Sequence, residues 1–201
     1  MSTQSAAEDR LKSLVERLYS HVEALFETVL GSLEGGEGKA YNMIDERLMV
    51  IEELRHTIAI ETLLYITRWQ PLGRDLARAE SFIRASYDLF RIARYLREII
   101  KLDRTAGSLR EIGVNLNTLA KARGMVNNAV KALLYNDSRL ASEVEEADRE
   151  IDQYYEASLR GLSKETIPRR AAIEALFARH VERIADHATY IAKLSVSEHL
   201  R

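Results

Sequence analysis

The chain has 201 residues, a formal net charge of −2, 46% hydrophobic residues and 30% charged residues. That length and mix suit one or two small domains with a real core, and the near-neutral balance argues against a dedicated nucleic-acid binder. Cysteine is absent, which excludes disulfides, thiolate metal sites and thiol nucleophiles. Any metal would sit on oxygen or imidazole ligands.

With only 9 Gly and 2 Pro, few breakers interrupt the pattern, so an all-helical protein with short connections is expected. Six helical segments can be read in chain order. The first runs from Ala7 to Leu30, with Leu11, Leu14, Leu18, Val22, Leu25 and Val29 on one stripe. A Gly-rich turn, Gly31 to Gly38, comes next. The second covers Ala40 to Trp69, with Ile44, Leu48, Ile51, Leu54, Ile58 and either Leu63 or Tyr65 facing inward. Gln70-Pro71 breaks it, because proline disfavours helix at the residue before it. The third runs from Pro71 to Asp103, carrying Leu76, Phe82 or Ile83, Leu89, Ile92, Leu96 and Ile99.

Thr105-Ala-Gly107 divides the halves. The fourth helix is expected from Ser108 to Leu134, and Asn136-Asp137-Ser138 reads as a turn with an N-cap. The fifth covers Ser138 to Arg160, with Leu140, Val144, Ala147, Ile151, Tyr154 and Leu159 inward. After a loop from Gly161 to Thr166, the sixth runs from Ile167 or Pro168 to Ser195. Helices this long, with stripes at three- and four-residue steps, pack best as an antiparallel bundle. No apolar run is long enough to cross a membrane. The N-terminus lacks a basic start and an apolar middle, so a cytoplasmic location is expected.

The second half repeats the first. Asp45 corresponds to Asp148, Pro71 to Pro168, and Arg91-Ile92-Ala93 to Arg183-Ile184-Ala185. The expected organisation is two tandem three-helix units, residues 1–104 and 105–201, related by a pseudo-twofold.

The most informative stretch is His180-Val-Glu-Arg-Ile-Ala-Asp-His-Ala-Thr-Tyr-Ile-Ala192. Ile184, Ala188 and Ile191 make its apolar stripe. Beside them Glu182 and Asp186 lie one turn apart, and like charges at that spacing cost a helix about 0.2–0.5 kcal/mol. Asp148 and Asp152 form a second such pair. Spacing alone leaves two readings open. Four carboxylates across two adjacent helices could hold hard cations. Equally, they could form a solvated face compensated by Arg149, Arg179 and Arg183.

The order Glu182-Arg-Ile-Ala-Asp-His-Ala188 resembles the signature of the PhoU family of phosphate-uptake regulators. Residues 136–152 resemble its middle-helix pattern, and Gln70-Pro-Leu-Gly-Arg-Asp-Leu76 its Q-P-x-x-x-D-L helix start. In that family, acidic pairs of this kind bind metal clusters. The resemblance therefore implies a metal site on Asp148, Asp152, Glu182 and Asp186, holding iron, zinc, manganese or magnesium. The first repeat departs from the pattern: Phe90 stands for Glu182, Arg94 for Asp186, and Met49 opposite Asp152. At most one site is expected, with the Arg94 guanidinium replacing the lost cation and pairing with Asp45.

The resemblance also implies a non-enzymatic regulator of phosphate uptake and homeostasis. Its partners would be the ATPase of a phosphate ABC transporter and, where the organism has one, a sensor kinase. A homo-oligomer is expected on the same ground. Two rival readings are a metal-dependent bundle enzyme and a metal-free scaffold. Glu53-Leu-Arg-His56 is an E-x-x-H sequence, but a di-iron bundle needs two of them plus two further glutamates. A hydrolase needs an added base, and none stands out. His187 could support Asp186 from outside the site, or bond elsewhere in the bundle. His180 reads as a satisfied core histidine. Trp69, Tyr154 and Tyr155 are candidates for a partner surface.

Overall fold

The computed structural model describes residues 3–35, 40–163 and 166–197. Its helices are α1 (Thr3–Leu33), α2 (Ala40–Trp69), α3 (Arg74–Ala106), α4 (Leu109–Ile112), α5 (Asn117–Tyr135), α6 (Ser138–Arg160) and α7 (Arg169–Ser197). No strand occurs among the described residues. The fold is the all-α antiparallel bundle that the stripes imply.

The stripes become the core. Leu11, Leu18, Val22, Leu25 and Val29 of α1 are buried, as are Ile44, Ile51 and Ile58 of α2. Phe82, Leu89, Ile92 and Leu96 line α3, and Phe177, Val181, Ile184 and Ile191 line α7. Each such side chain contributes about 1.5–3 kcal/mol. α1, α2 and α3 pack on one another, and so do α5, α6 and α7. α3 lies along α7, and α1 touches α5. The acidic motif thus sits on a central helix that meets α3, α5 and α6.

A pair of rings joins the two halves of the chain. Tyr95 and His187 occupy equivalent positions when Arg91 is matched to Arg183. Their rings stack against each other, with centroids 5.8 Å apart and planes at 29°. The contact lies between α3 and α7.

Several boundaries differ from expectation. α3 begins at Arg74 rather than Pro71, because Gln70 and Gly73 take left-handed backbone with φ of 45° and 54°. Pro71 is buried in the elbow between them. α1 runs on to Leu33, past the first glycine of the expected turn; residues 36–39 lie outside the described residues. The fourth expected helix is two. Gly113 has φ of 80° and its N–H bonds the carbonyls of Leu109 and Arg110, which closes α4 before α5 starts. The N-cap lies at Asp137, whose carboxylate accepts from the Arg139 and Leu140 N–H groups at 3.0 and 3.1 Å.

In the core, Tyr65 is buried and Leu63 exposed, and Phe82 is buried more fully than Ile83. Leu76 and Leu159 stay 39% and 42% exposed. Both lie in terminal turns of their helices.

One charged residue ties the bundle together. Arg78 is 9% exposed and donates to Glu8 at 2.7 Å, to the Asn136 side chain at 2.9 Å and to the Leu134 carbonyl at 3.2 Å. It joins α3 to α1 and to the α5–α6 turn. No helix among the described residues is long and apolar enough to cross a membrane.

Candidate metal centre

α6 carries the first acidic pair. Only Ala141, Val144 and Ile151 of this helix are fully buried, so most of it faces outward. Ile151 is 0% exposed and seats the helix between Asp148 and Asp152. α6 packs on α7, which brings Glu182 and Asp186 to the same seam.

The electrostatics show that the four acids feel one another. Burial raises the Asp148 pKa, and the charges of Asp152 and Asp186 raise it further; Thr189 and Lys193 pull the other way. Burial likewise raises Asp152, helped by Asp186 and Glu156. Glu182 is raised by burial and by Asp186, against the lowering effect of Arg183 and Arg179. Three of the four carboxyls therefore resist ionisation, for a common reason: too much negative charge in a partly desolvated seam.

Compensation is uneven. Arg179 Nη1 donates to both oxygens of Glu182 at 3.0 and 2.9 Å. Arg183 donates to Asp186 at 2.8 Å and lies 3.5 Å from Glu182. The α7 acids are thus answered by the arginines of their own helix. Asp148 and Asp152 form no ion pair with a described residue. In this arrangement no three described His, Asp or Glu side chains gather around one point.

Does the chemistry suit a cation? Asp148 Oδ1 is buried and has no hydrogen-bond partner, and neither does the buried Thr189 hydroxyl. The two sit close enough for Thr189 to lower the Asp148 pKa, yet without the geometry of a hydrogen bond. An unsatisfied, buried carboxylate oxygen in an acidic seam without sulfur fits a hard, oxygen-seeking cation. Arg179 and Arg183 would have to turn aside to free Glu182 and Asp186.

The first repeat is built differently from expectation. Asp45 pairs with Arg97, at 2.6 Å, and not with Arg94. Arg94 lies over the Phe90 ring at 6.0 Å, and Arg55 lies over the same ring at 5.3 Å. Phe90, which stands where the second repeat has Glu182, carries Arg94 on its π-face, and Asp45 pairs with the next turn of α3. Met49 is 64% exposed. Arg149, the third arginine considered as compensation, is exposed and takes no part in the ion pairs of the seam.

His187 bonds away from the acidic site. Its Nδ1 lies 2.8 Å from Asp88 Oδ1, and both side chains are nearly buried. His180 is half-buried near the Tyr95 ring, and burial lowers its pKa. Glu53 and His56 are exposed on α2. Trp69, Tyr154 and Tyr155 are half-buried rather than exposed; Tyr155 lies beneath Arg179 at 5.4 Å. Sequence reasoning missed Thr189, Asp88 and Arg55. A Thr or Asp interrupting an apolar stripe was the available signal for the first two.

The fold and seam define a class: helical proteins of duplicated three-helix units, with acidic pairs on adjacent helices of a repeat. The PhoU domain model matches residues 15–102 and again 118–195. The chain belongs to the PhoU family. A phosphate-specific transport system accessory protein PhoU homolog of Xylella fastidiosa is 30% identical over 92% of this chain and 80% of its own. One from Pseudomonas putida is 29% identical over 84% and 68%. Among solved structures, PhoU from Pseudomonas aeruginosa matches with a TM-score of 0.84 at 22% identity, over 98% of both chains. The phosphate transport system regulatory protein PhoU from Streptococcus pneumoniae matches with a TM-score of 0.83 at 18% identity, over 98% of this chain and 97% of that one.

Proposed function

We propose that this protein is a non-catalytic regulator of phosphate uptake and intracellular phosphate homeostasis. It acts by contact with the ATPase of a phosphate ABC transporter on the cytoplasmic side, with a sensor kinase where one exists, and with further copies of itself. A divalent or trivalent ion held by Asp148, Asp152, Glu182 and Asp186 pins α6 to α7. The observation that carries the reading is the family match over both repeats. The lack of an ion pair at Asp148 and Asp152 among the described residues supports the metal part. Exposed Ile60, Leu63 and Leu64 on α2 supply an apolar face for protein contact.

When bound, the ion would neutralise the seam and act as a structural clamp. The chain's own residues do the rest. Ile151 fixes the register of α6, Thr189 neighbours the buried oxygen of Asp148, and Arg179 and Arg183 stand in as cations when the acids are free of metal. Metal affinity and folding are coupled in such a site, because ligands brought together by folding repel until a cation joins them.

The test is phosphate uptake in a host lacking its own gene of this family. The wild-type chain restores controlled uptake, whereas Asp148→Asn/Asp186→Asn fails to restore it at equal protein level. Equal restoration by both chains would separate the regulatory role from the carboxylates. Failure of the wild-type chain would count against the regulatory role itself.

A further inference from the structure

A second cleft lies away from the carboxylates, where α2, α3 and α7 meet. Its volume is about 510 Å³, within the range of small-ligand sites. The polar lining includes Arg55, Arg84, Tyr87, Asp88, His187 and Tyr190.

Its cations are poorly engaged. Arg55 has no carboxylate partner among the described residues: it rests on Phe90, touches His56 Nε2, and its Nε is buried without a hydrogen-bond partner. Among the described residues Arg84 reaches only Glu80 of its own helix, at 3.7 Å and well exposed, an ion pair of little worth. The carboxylate of the lining, Asp88, is already bonded to His187. Aromatic surface is present too. Tyr87 and Tyr190 remain 49% and 48% exposed, and Tyr190 meets the His187 ring edge-on at 5.7 Å.

The duplication does not impose this character. In the same registers that match Asp45 to Asp148 and Arg91 to Arg183, Ser158 stands for Arg55 and Leu176 for Arg84. The matched positions of the second half have neither guanidinium.

We propose that the α2–α3–α7 cleft binds a nucleotide, its phosphoryl group taken by Arg55 and Arg84 and its base by Tyr87 and Tyr190. Guanidinium forks suit phosphoryl oxygens, and bases stack on aromatic faces. The site does not depend on the metal centre or on the regulatory role.

The experiment is calorimetric titration of the full chain with AMP, ADP and ATP. Adenosine serves as the ring-only probe and inorganic phosphate as the phosphoryl-only probe. Chelator is present, and an Asp148→Asn chain is run alongside, so that binding through the carboxylate seam is seen separately. At least one nucleotide is expected to bind about tenfold more tightly than either half-probe. Arg55→Met and Arg84→Met should each weaken it by about tenfold, the cost of one charge-assisted contact. Arg84 is exposed, so its variant tests the site without disturbing the core. Absence of saturable nucleotide binding at millimolar concentration would overturn the proposal. So would binding unchanged in both arginine variants, or phosphate alone binding as tightly as the nucleotide.

Discussion

Replacing Ile151 by alanine tests how α6 is held. Three carbons leave a site that is 0% exposed. At about 0.8 kcal/mol per buried methylene the transfer term is roughly 2.4 kcal/mol. Whatever cavity fails to collapse adds to it, and buried Ile→Ala changes span about 2–5 kcal/mol. α6 offers little relief, since Ala141 and Val144 are its other fully buried residues. We expect a loss of about 3 kcal/mol for Ile151→Ala and about 1 kcal/mol for Ile151→Val. At about 2–4 °C per kcal/mol for a chain of this size, the alanine variant should melt about 6–12 °C lower. Urea unfolding followed by helical circular dichroism reads both the midpoint and the slope. A loss below about 1 kcal/mol for the alanine variant, with an unchanged slope, would refute this picture of how α6 is seated.

The same contacts lead to three further outcomes. Asp148, Asp152 and Glu182 all have raised pKa values, chiefly from burial. Their folded-state values exceed the unfolded ones, so the metal-free protein is stabilised below the unfolded carboxylate range and loses that contribution as pH rises through the folded values. In chelator, Asp148→Asn should therefore gain on wild type as pH rises from 3 to 7, seen as a widening difference in melting temperature; a constant difference would contradict the repulsion. Arg78→Met removes the hydrogen bonds to Glu8, Asn136 and Leu134 that join α3, α1 and the α5–α6 turn, and should cost about 2–4 kcal/mol in urea unfolding; a change under about 1 kcal/mol would show that the tie is dispensable. The exposed Asp45–Arg97 pair should matter little: Asp45→Asn should cost less than about 1 kcal/mol, and a larger loss would mean that Asp45 has a partner beyond Arg97.

Most helices were legible because their stripes run long without breakers. The features that escaped were decided by single residues whose alternatives look alike in sequence. Gly113 ends α4 in a left-handed conformation, whereas Gly124 continues inside α5. Both are isolated glycines in a helical pattern, and only the packing of the next segment tells them apart. Arg94 and Arg97 are both long cations one turn apart on α3, and sequence alone does not say that Asp45 takes Arg97 while Arg94 lies over the Phe90 ring. In the acidic seam, spacing indicated which four side chains share a face. It could not indicate that Arg179 and Arg183 answer the α7 acids while Asp148 keeps a buried oxygen without a partner. That asymmetry depends on where each side chain lies across the α6–α7 contact, which no pattern within one helix contains.

Whether the α6–α7 acids hold a metal ion is the central question for this protein. Metal content by mass spectrometry, on protein purified without added chelator, tests it most directly beside a Glu182→Ala/Asp186→Ala variant. Bound iron, manganese, zinc or magnesium is expected in the wild-type chain, and its loss in the variant. Equal metal in both chains, or none in either after reconstitution, would contradict the metal site and leave the four acids as an arginine-compensated face.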